Sequence, residues 1–224
     1  MPSDTLKDWG GFFQRWSRLK PPLRPNAEIV ANIAARAGGA QRRVLLLGVT
    51  PELALAFADV TAIDKTRSMI DHIWPGDTPQ RRAIAGDWLH MDHSLGSFDA
   101  AVGDGSLSAV TSLDEIAEVL RRVAGRLPPG GPCVFRTYVR PDSLSEDDIA
   151  RPATGAEPMK FHAFKWPIAM YLAGRHGAAI PLTHIHDFFV RRFPGREDLS
   201  RCTGWPLADI DGIDAYRDSA TAYC

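Results

Sequence analysis

Four short stretches of the chain carry residues suited to holding a nucleoside: Gly48-Val49-Thr50, Asp64-Lys65 with Met69, Gly86-Asp87-Trp88, and Gly103-Asp104-Gly105-Ser106. Gly48 has no Cβ, so the backbone there can come close to a ligand. Asp64 offers a carboxylate that can accept from two ribose hydroxyls. Asp87 can accept from an exocyclic adenine amine, and Met69 and Trp88 offer soft or flat apolar surface to an adenine face. Asp104 faces whatever lies deepest in the site. Each residue also has a plainer use. Gly48 suits any strand-to-helix turn, Asp64 and Asp87 can cap the helical segments that follow them, and Trp88 suits a core. Their succession along the chain carries more weight than any one of them.

Alternating strands and helices must position this set. Arg43 to Gly48 (RVLLLG) is a continuous apolar run ending on Gly, as a strand buried on both faces reads. Thr50-Pro51-Glu52 opens a helix, with Thr as cap, Pro at the first helical position and Glu at the positive end of the dipole. Asp59 to Asp64 (DVTAID) is the second strand, and Thr66 to Trp74 a short helix closed by Pro75-Gly76. Arg82 to Gly86 and Phe98 to Gly103 are the third and fourth strands. Leu113, Ile116, Leu120, Val123 and Leu127 keep a helical period, and Cys133 to Val139 is the fifth strand. This alternation predicts an α/β fold, a doubly wound and mostly parallel sheet with helices on both faces. In such a sheet ligands bind beyond the carboxyl ends of the strands, where the four stretches fall.

The flanks read as helical. Residues 1–41 form a lead-in whose Trp9, Phe12, Phe13 and Trp16 share one helical face, either as packing or as a lid over a ligand. Asn26 caps a second helix that Gly38-Gly39 stop. The core is expected over 42–139 and a helical C-terminal cap packed on it over 140–224. In the cap, Phe161, Phe164, Ile168 and Leu172 mark one helix, with Pro167 kinking it or lying in its first turn. His184 to Arg192 and Ile210 to Asp218 mark two more, and a short helix falls near Leu144 to Ala150.

Composition bounds the function. Over 224 residues, 26 Lys and Arg against 27 Asp and Glu give a net charge of −1, so no global pull towards nucleic acid or anionic lipid is expected. No apolar run approaches the roughly 18 residues of a membrane helix. The start, Met1-Pro2-Ser3-Asp4, lacks the basic and apolar regions of a signal peptide, and a cytoplasmic location is expected. Three widely spaced cysteines, Cys133, Cys202 and Cys224, give neither a disulfide framework nor a four-cysteine zinc site. His90-Met91-Asp92-His93 and His184-Ile185-His186-Asp187 resemble ligand clusters, but alternate residues on a helix point apart, so no metal is expected.

The succession VLLLG, VTAIDKTRSMI, GDWL, FDAAVGDGS and LPPGGPCVFR resembles a class I S-adenosylmethionine-dependent methyltransferase over roughly residues 42–139. Gly48-Val49-Thr50-Pro51-Glu52 with Phe161-His162-Ala163-Phe164-Lys165-Trp166 resembles one bacterial, small-molecule subgroup of unassigned substrate. The resemblance implies a Rossmann-like core with a seven-stranded sheet, S-adenosylmethionine as cofactor and S-adenosylhomocysteine as product. It implies methyl transfer to a small-molecule acceptor by a monomer or homodimer. Cofactor contacts are then expected from Gly48, Val49, Thr50, Asp64, Lys65, Met69, Gly86, Asp87, Trp88, Asp104, Gly105 and Ser106. Asp104 and His162 are the candidates for a catalytic role. Trp16, Arg136, Tyr138, His162 and Lys165 are the candidates for substrate contact, and Arg136 with Arg140 favours an acidic acceptor. The sequence departs from the family at its first motif, where the acid position is Leu46 and later glycines are Thr50 and Glu52. Those departures favour the alternative, a degenerate binding module that acts through cofactor or partner binding without turnover. A nicotinamide enzyme is disfavoured because the G-x-G-x-x-G fingerprint is absent.

Overall fold

The computed structural model describes residues 16–17, 19–91, 93–150, 159–177 and 179–223. Trp9, Phe12, Phe13, Asp92 and Cys224 therefore lie outside the described residues. The chain forms two compact units, residues 1–138 and 139–224.

The first unit is built on five parallel strands: β1 (Arg43–Leu47), β2 (Asp59–Asp64), β3 (Arg81–Ala85), β4 (Ala100–Asp104) and β5 (Cys133–Arg136). Their order across the sheet is β3-β2-β1-β4-β5. The chain thus reverses direction across the sheet between β1 and β4, which makes the sheet doubly wound, with its switch point there. The helices of this unit are α1 (Ala27–Arg36), α2 (Pro51–Ala54), α3 (Arg67–Ile73) and α4 (Leu113–Ala124).

β1 shows why the sheet is covered on both faces. Val44 and Leu46 join a core layer with Ile33 and Ala37 from α1 and its C-terminus. Leu45 and Leu47 join the opposite layer with Val119 and Val123 of α4. These four apolar residues of β1 are at most 1% exposed. Each contributes roughly 1.5–3 kcal/mol by leaving water, so the unbroken apolar run VLLL is what a central parallel strand requires.

Local signals set the helix ends. Asn26 Oδ1 accepts from the Ile29 amide at 2.9 Å, and Gly38 and Gly39 leave α1 at φ of +93° and +102°. Ser112 Oγ accepts from the Glu115 amide at 3.1 Å at the start of α4, while Glu115 Oε2 accepts from the Thr111 amide at 2.7 Å. This is the reciprocal logic of a capping box, moved one residue upstream.

Several elements differ from the sequence reading. α2 is a single turn, and Thr50 occupies its cap position without a side-chain capping bond. β4 begins at Ala100 rather than Phe98, because the Phe98 amide bonds to the Arg126 carbonyl instead of a neighbouring strand. β5 ends at Arg136, three residues early. The sheet has, among the described residues, the five strands that the residues themselves predict, and not the seven that the resemblance implied.

The second unit holds α5 (Glu146–Ala150), α6 (Phe161–His176), β6 (Ile180–Pro181), α7 (Leu182–Arg192), α8 (Arg196–Thr203), α9 (Leu207–Asp211) and β7 (Ala222–Tyr223), with β6 and β7 paired antiparallel. Its core is aromatic: Phe161 meets Phe189 and Trp205 edge-on, each at 5.5 Å between ring centroids. α6 runs through Pro167 to His176. The helix expected over 210–218 is instead α9 followed by a tighter turn over Gly212–Tyr216. α8 has Leu199 as its one buried residue, so its sequence carried no apolar period to read.

Candidate functional site

The carboxyl ends of β1 and β2 meet at one carbonyl. The Gly48 amide donates to the Ile63 carbonyl at 2.8 Å, and the Trp88 indole Nε1 donates to the same oxygen at 2.7 Å. Gly48 sits at φ +92°, a backbone conformation that a side chain strains. A Cβ built there would lie 4.0 Å from Asp64 Oδ2. The missing side chain therefore keeps open the space in front of the Asp64 carboxylate. Asp64 Oδ1 accepts from the Thr66 amide at 2.8 Å, which fixes the carboxylate as β2 ends. Burial pushes the Asp64 carboxyl above its ordinary value, against the lowering pull of Thr66 and the Lys65 charge. Val49 and Thr50 are buried behind the turn, and Lys65 is exposed. Met69 is 7% exposed and belongs to the core layer with α1.

Beyond β3, the Gly86 amide donates to the Asp64 carbonyl at 3.0 Å. Asp87 Oδ1 accepts from the Leu89 amide at 2.9 Å and so caps the turn over Trp88–His90, while Oδ2 stands 3.8 Å from His90 Nδ1. Trp88 packs against the core layer of Leu47 and Ile63 and is held in place by its bond to Ile63.

At the end of β4, Asp104 is gripped by Arg136 of β5. Arg136 Nε donates to Oδ1, Nη2 donates to Oδ2 at 2.9 Å, and Nη1 donates to the Pro22 carbonyl at 2.6 Å. The Asp104 side chain is 3% exposed. Burial raises its pKa, Arg136 opposes that, and the nearby Glu52 charge adds to the rise. With both oxygens occupied by a guanidinium, Asp104 is not poised to take a proton from a substrate. All three forks of Arg136 are likewise engaged, so it is not a spare cation for an acidic acceptor. Tyr138 Oη donates to the Pro22 carbonyl at 3.3 Å. Gly105 turns the chain at φ +67° and donates its amide to the Arg136 carbonyl at 3.0 Å. Ser106 is 6% exposed, and its Oγ has no hydrogen-bond partner among the described residues.

The segment before α1 reaches this same edge, which the sequence reading missed. Arg24 donates through Nε to Glu52 Oε1 at 2.7 Å, its Nη2 lies 2.5 Å from that oxygen, and its guanidinium lies 5.2 Å from the Trp16 ring. Partners 28 residues apart, one of them between prolines, leave no periodic signal.

The other two candidates belong to the second unit. His162 is 6% exposed with Nε2 3.6 Å from Asp209 Oδ1, and Lys165 is 8% exposed with Nζ 4.4 Å from the Tyr216 ring centroid. On α7, His184 is exposed whereas His186 is buried beside Asp187 and Asp214, so the pair points apart. Among the described residues no group of three His, Cys, Asp or Glu side chains is placed to hold a metal. No helix among them is long and apolar enough to cross a membrane.

No family model matches the chain, and no curated protein matches it. Among solved structures it is similar to the CcbJ methyltransferase from Streptomyces caelestis, with 20% identity over 59% of this chain and 58% of that one and a TM-score of 0.49. It is similar to the N-methyltransferase NodS from Bradyrhizobium japonicum WM9 in complex with S-adenosylhomocysteine, with 20% identity over 59% and 72% of the two chains and a TM-score of 0.45. It is also similar to the sugar N-methyltransferase KedS8 from Streptoalloteichus sp. ATCC 53650, with 23% identity over 60% and 55% and a TM-score of 0.46. The match thus spans less than two thirds of the length of the first of these proteins. At these scores the likeness adds nothing to the strand order of the sheet itself, which is that of a doubly wound, Rossmann-like α/β domain.

In chemical terms, the edge offers a glycine gap facing a fixed carboxylate at β1 and β2, a pinned indole beside it, and two arginine-bound carboxylates at α2 and β4. That set suits a ligand with a diol at one end and polar or charged groups at the other.

Proposed function

We propose that the chain binds S-adenosylmethionine at the carboxyl edge of β1, β2 and β4 and transfers its methyl group to a small-molecule nucleophile. The observation that carries this reading is the opening between Gly48 and Asp64 at the carboxyl ends of β1 and β2, beside the switch point of the sheet. A Cβ-free turn at positive φ faces a carboxylate that is held at its other oxygen. Such a carboxylate at the end of the second strand suits a ribose diol.

In this reading Asp64 accepts from the ribose hydroxyls and Gly48 admits the nucleoside to the backbone. Trp88, fixed by the Ile63 carbonyl, offers the adenine an edge or face, and the outer oxygen of Asp87 remains for the exocyclic amine. Gly105 and Ser106 line the end of β4, where the buried, unpaired Ser106 Oγ awaits a polar partner. S-adenosylmethionine, when bound, supplies a methyl carbon that its sulfonium already activates for in-line displacement. The protein's work is then to align the acceptor and exclude water. Asp104, tied to Arg136, keeps the β4 edge rigid rather than moving a proton. An acceptor that is neutral and nucleophilic at working pH needs no base.

The second reading, a binding module without turnover, is favoured by one observation: both oxygens of Asp104 and all three arms of Arg136 are satisfied within the chain. Isothermal titration with S-adenosylmethionine, S-adenosylhomocysteine and NADH in parallel tests the cofactor. Micromolar binding of the first two and none of NADH is expected, and absence of binding by the first two overturns both the ligand and the activity. Methyl transfer to any member of a small-molecule amine, alcohol and carboxylate panel then rules out the binding module.

A further inference from the structure

The residue that the methyltransferase resemblance would make acidic at the end of the first strand is Leu46. It is fully buried in the core layer shared with α1. A leucine there supplies no carboxylate to a ligand. One turn later the chain supplies a different one. Glu52 lies on α2, directly after the Gly48 turn, close enough to Asp104 for its charge to act on that carboxyl. Glu52 Oε1 is bound by Arg24, whereas Oε2 is buried and has no hydrogen-bond partner. Among the described residues no other carboxylate oxygen is both buried and unpaired. A buried charged oxygen without a donor is costly and marks a place where a donor, best a cation, would be stabilised.

Arg24 completes the arrangement. Its Nε and Nη2 both face Glu52 Oε1, and Nη1 makes no hydrogen bond with a described residue. A guanidinium with an unused arm prefers a carboxylate, which it can meet in its own plane. The chain therefore carries an orphaned anionic oxygen and an unused cationic arm on the two members of one ion pair. That is the inverse image of an α-amino acid, which carries an ammonium and a carboxylate on one carbon. Asp104 does not compete for this role, since Arg136 takes both of its oxygens.

We propose that Arg24 and Glu52 form the subsite for the zwitterionic amino-acid end of S-adenosylmethionine, with Glu52 Oε2 accepting from the ammonium and Arg24 donating to the carboxylate. The proposal rests on the reading of this edge as an S-adenosylmethionine site. It explains how a chain with Leu46 at the usual acid position keeps a ligand there, and why Glu52 stands where a glycine is expected. It also gives the segment between Lys20 and Pro25 a function, because that segment carries the Arg24 half of the subsite.

The test compares two ligands on the full chain by isothermal titration: S-adenosylhomocysteine, which carries the amino-acid end, and 5′-methylthioadenosine, the same nucleoside thioether without it. Wild-type protein should prefer S-adenosylhomocysteine by about tenfold or more, the scale of charged hydrogen bonds. Glu52→Gln and Arg24→Met should each remove about tenfold or more of S-adenosylhomocysteine affinity and leave methylthioadenosine within about twofold. Melting temperatures without ligand check that each variant is folded. Equal wild-type affinity for the two ligands overturns the proposal without any variant. So does an equal loss for both ligands in Glu52→Gln, since a merely structural role would weaken both alike. Wild-type protein that binds neither ligand overturns the underlying site reading instead.

Discussion

Arg136 grips both carboxylate oxygens of Asp104 across the β4–β5 edge, with its third arm on the Pro22 carbonyl. The Asp104 side chain is 3% exposed and that of Arg136 18%. Removing the cation therefore strands a buried charge. Arg136→Met should cost about 3 kcal/mol in urea unfolding, with the denaturant slope unchanged. The double variant Arg136→Met with Asp104→Asn should recover most of that loss, because no charge is then left to solvate. A single-variant loss under about 1 kcal/mol, the value of an exposed pair, would show that water reaches Asp104.

Two glycines at strand ends fail for different reasons. Gly48 has room for a Cβ but sits at φ +92°, so Gly48→Ala meets backbone strain of about 1–2 kcal/mol and intrudes on the space before Asp64. Gly103 has no positive φ, but a Cβ there would overlap Ser106 Oγ and come within 2.6 Å of the Phe135 ring. Gly103→Ala should cost about 1–3 kcal/mol by overpacking. Titration with S-adenosylhomocysteine after both variants are shown to fold separates them: Gly48→Ala should lose most of its affinity. Retained affinity in Gly48→Ala would place the ligand elsewhere.

What could be read from sequence was whatever is encoded by neighbours along the chain. β2 was legible to the residue because a strand buried on both faces leaves an apolar run bounded by polar ends. Asp64 and the Gly48 turn followed from it, since each sits at a strand end. The Asn26 cap was legible for the same local reason. The Arg24–Glu52 and Arg136–Asp104 pairs were not, because they join residues 28 and 32 apart whose partnership only the fold decides. Arg136 in sequence looked like a cation awaiting an acidic acceptor. In the structure its acid is its own. α8 was missed because a helix with one buried residue has no hydrophobic stripe. Thr50 stands at the cap position that its type predicts, but its hydroxyl makes no capping bond to α2.

In the second unit, Asp214 binds Arg196 through both oxygens, at 2.7 and 2.8 Å, and Arg217 at 3.0 Å. The Arg196 hydrogen bonds hold its carboxyl down at about 2, below an ordinary 3.8. A depressed folded-state pKa stabilises the fold above the unfolded value, and that stabilisation is lost as pH falls through the folded one. Wild-type protein should therefore lose melting temperature more steeply than Asp214→Asn between pH 4 and about 2. High salt should narrow the difference, because Asp214 is partly exposed. Parallel acid profiles of the two proteins would refute this assignment.

Asp64 carries the opposite sign. Burial raises its carboxyl above 3.8, so the folded chain holds that proton more tightly than the unfolded chain does. The contribution to stability is then fully present below pH 3.8 and is lost as pH rises through the folded-state value. At neutral pH the ionised carboxylate is a cost that the fold carries. Asp64→Asn removes the charge while its side-chain oxygen can still accept from the Thr66 amide. It should melt higher than wild type at pH 7, converge with wild type below pH 3.8, and bind S-adenosylhomocysteine more weakly at pH 7, where wild type carries the carboxylate. Stability gained where binding is lost is the signature of a carboxylate kept for a ligand rather than for the fold. A variant that melts lower at pH 7 would instead make Asp64 a structural cap.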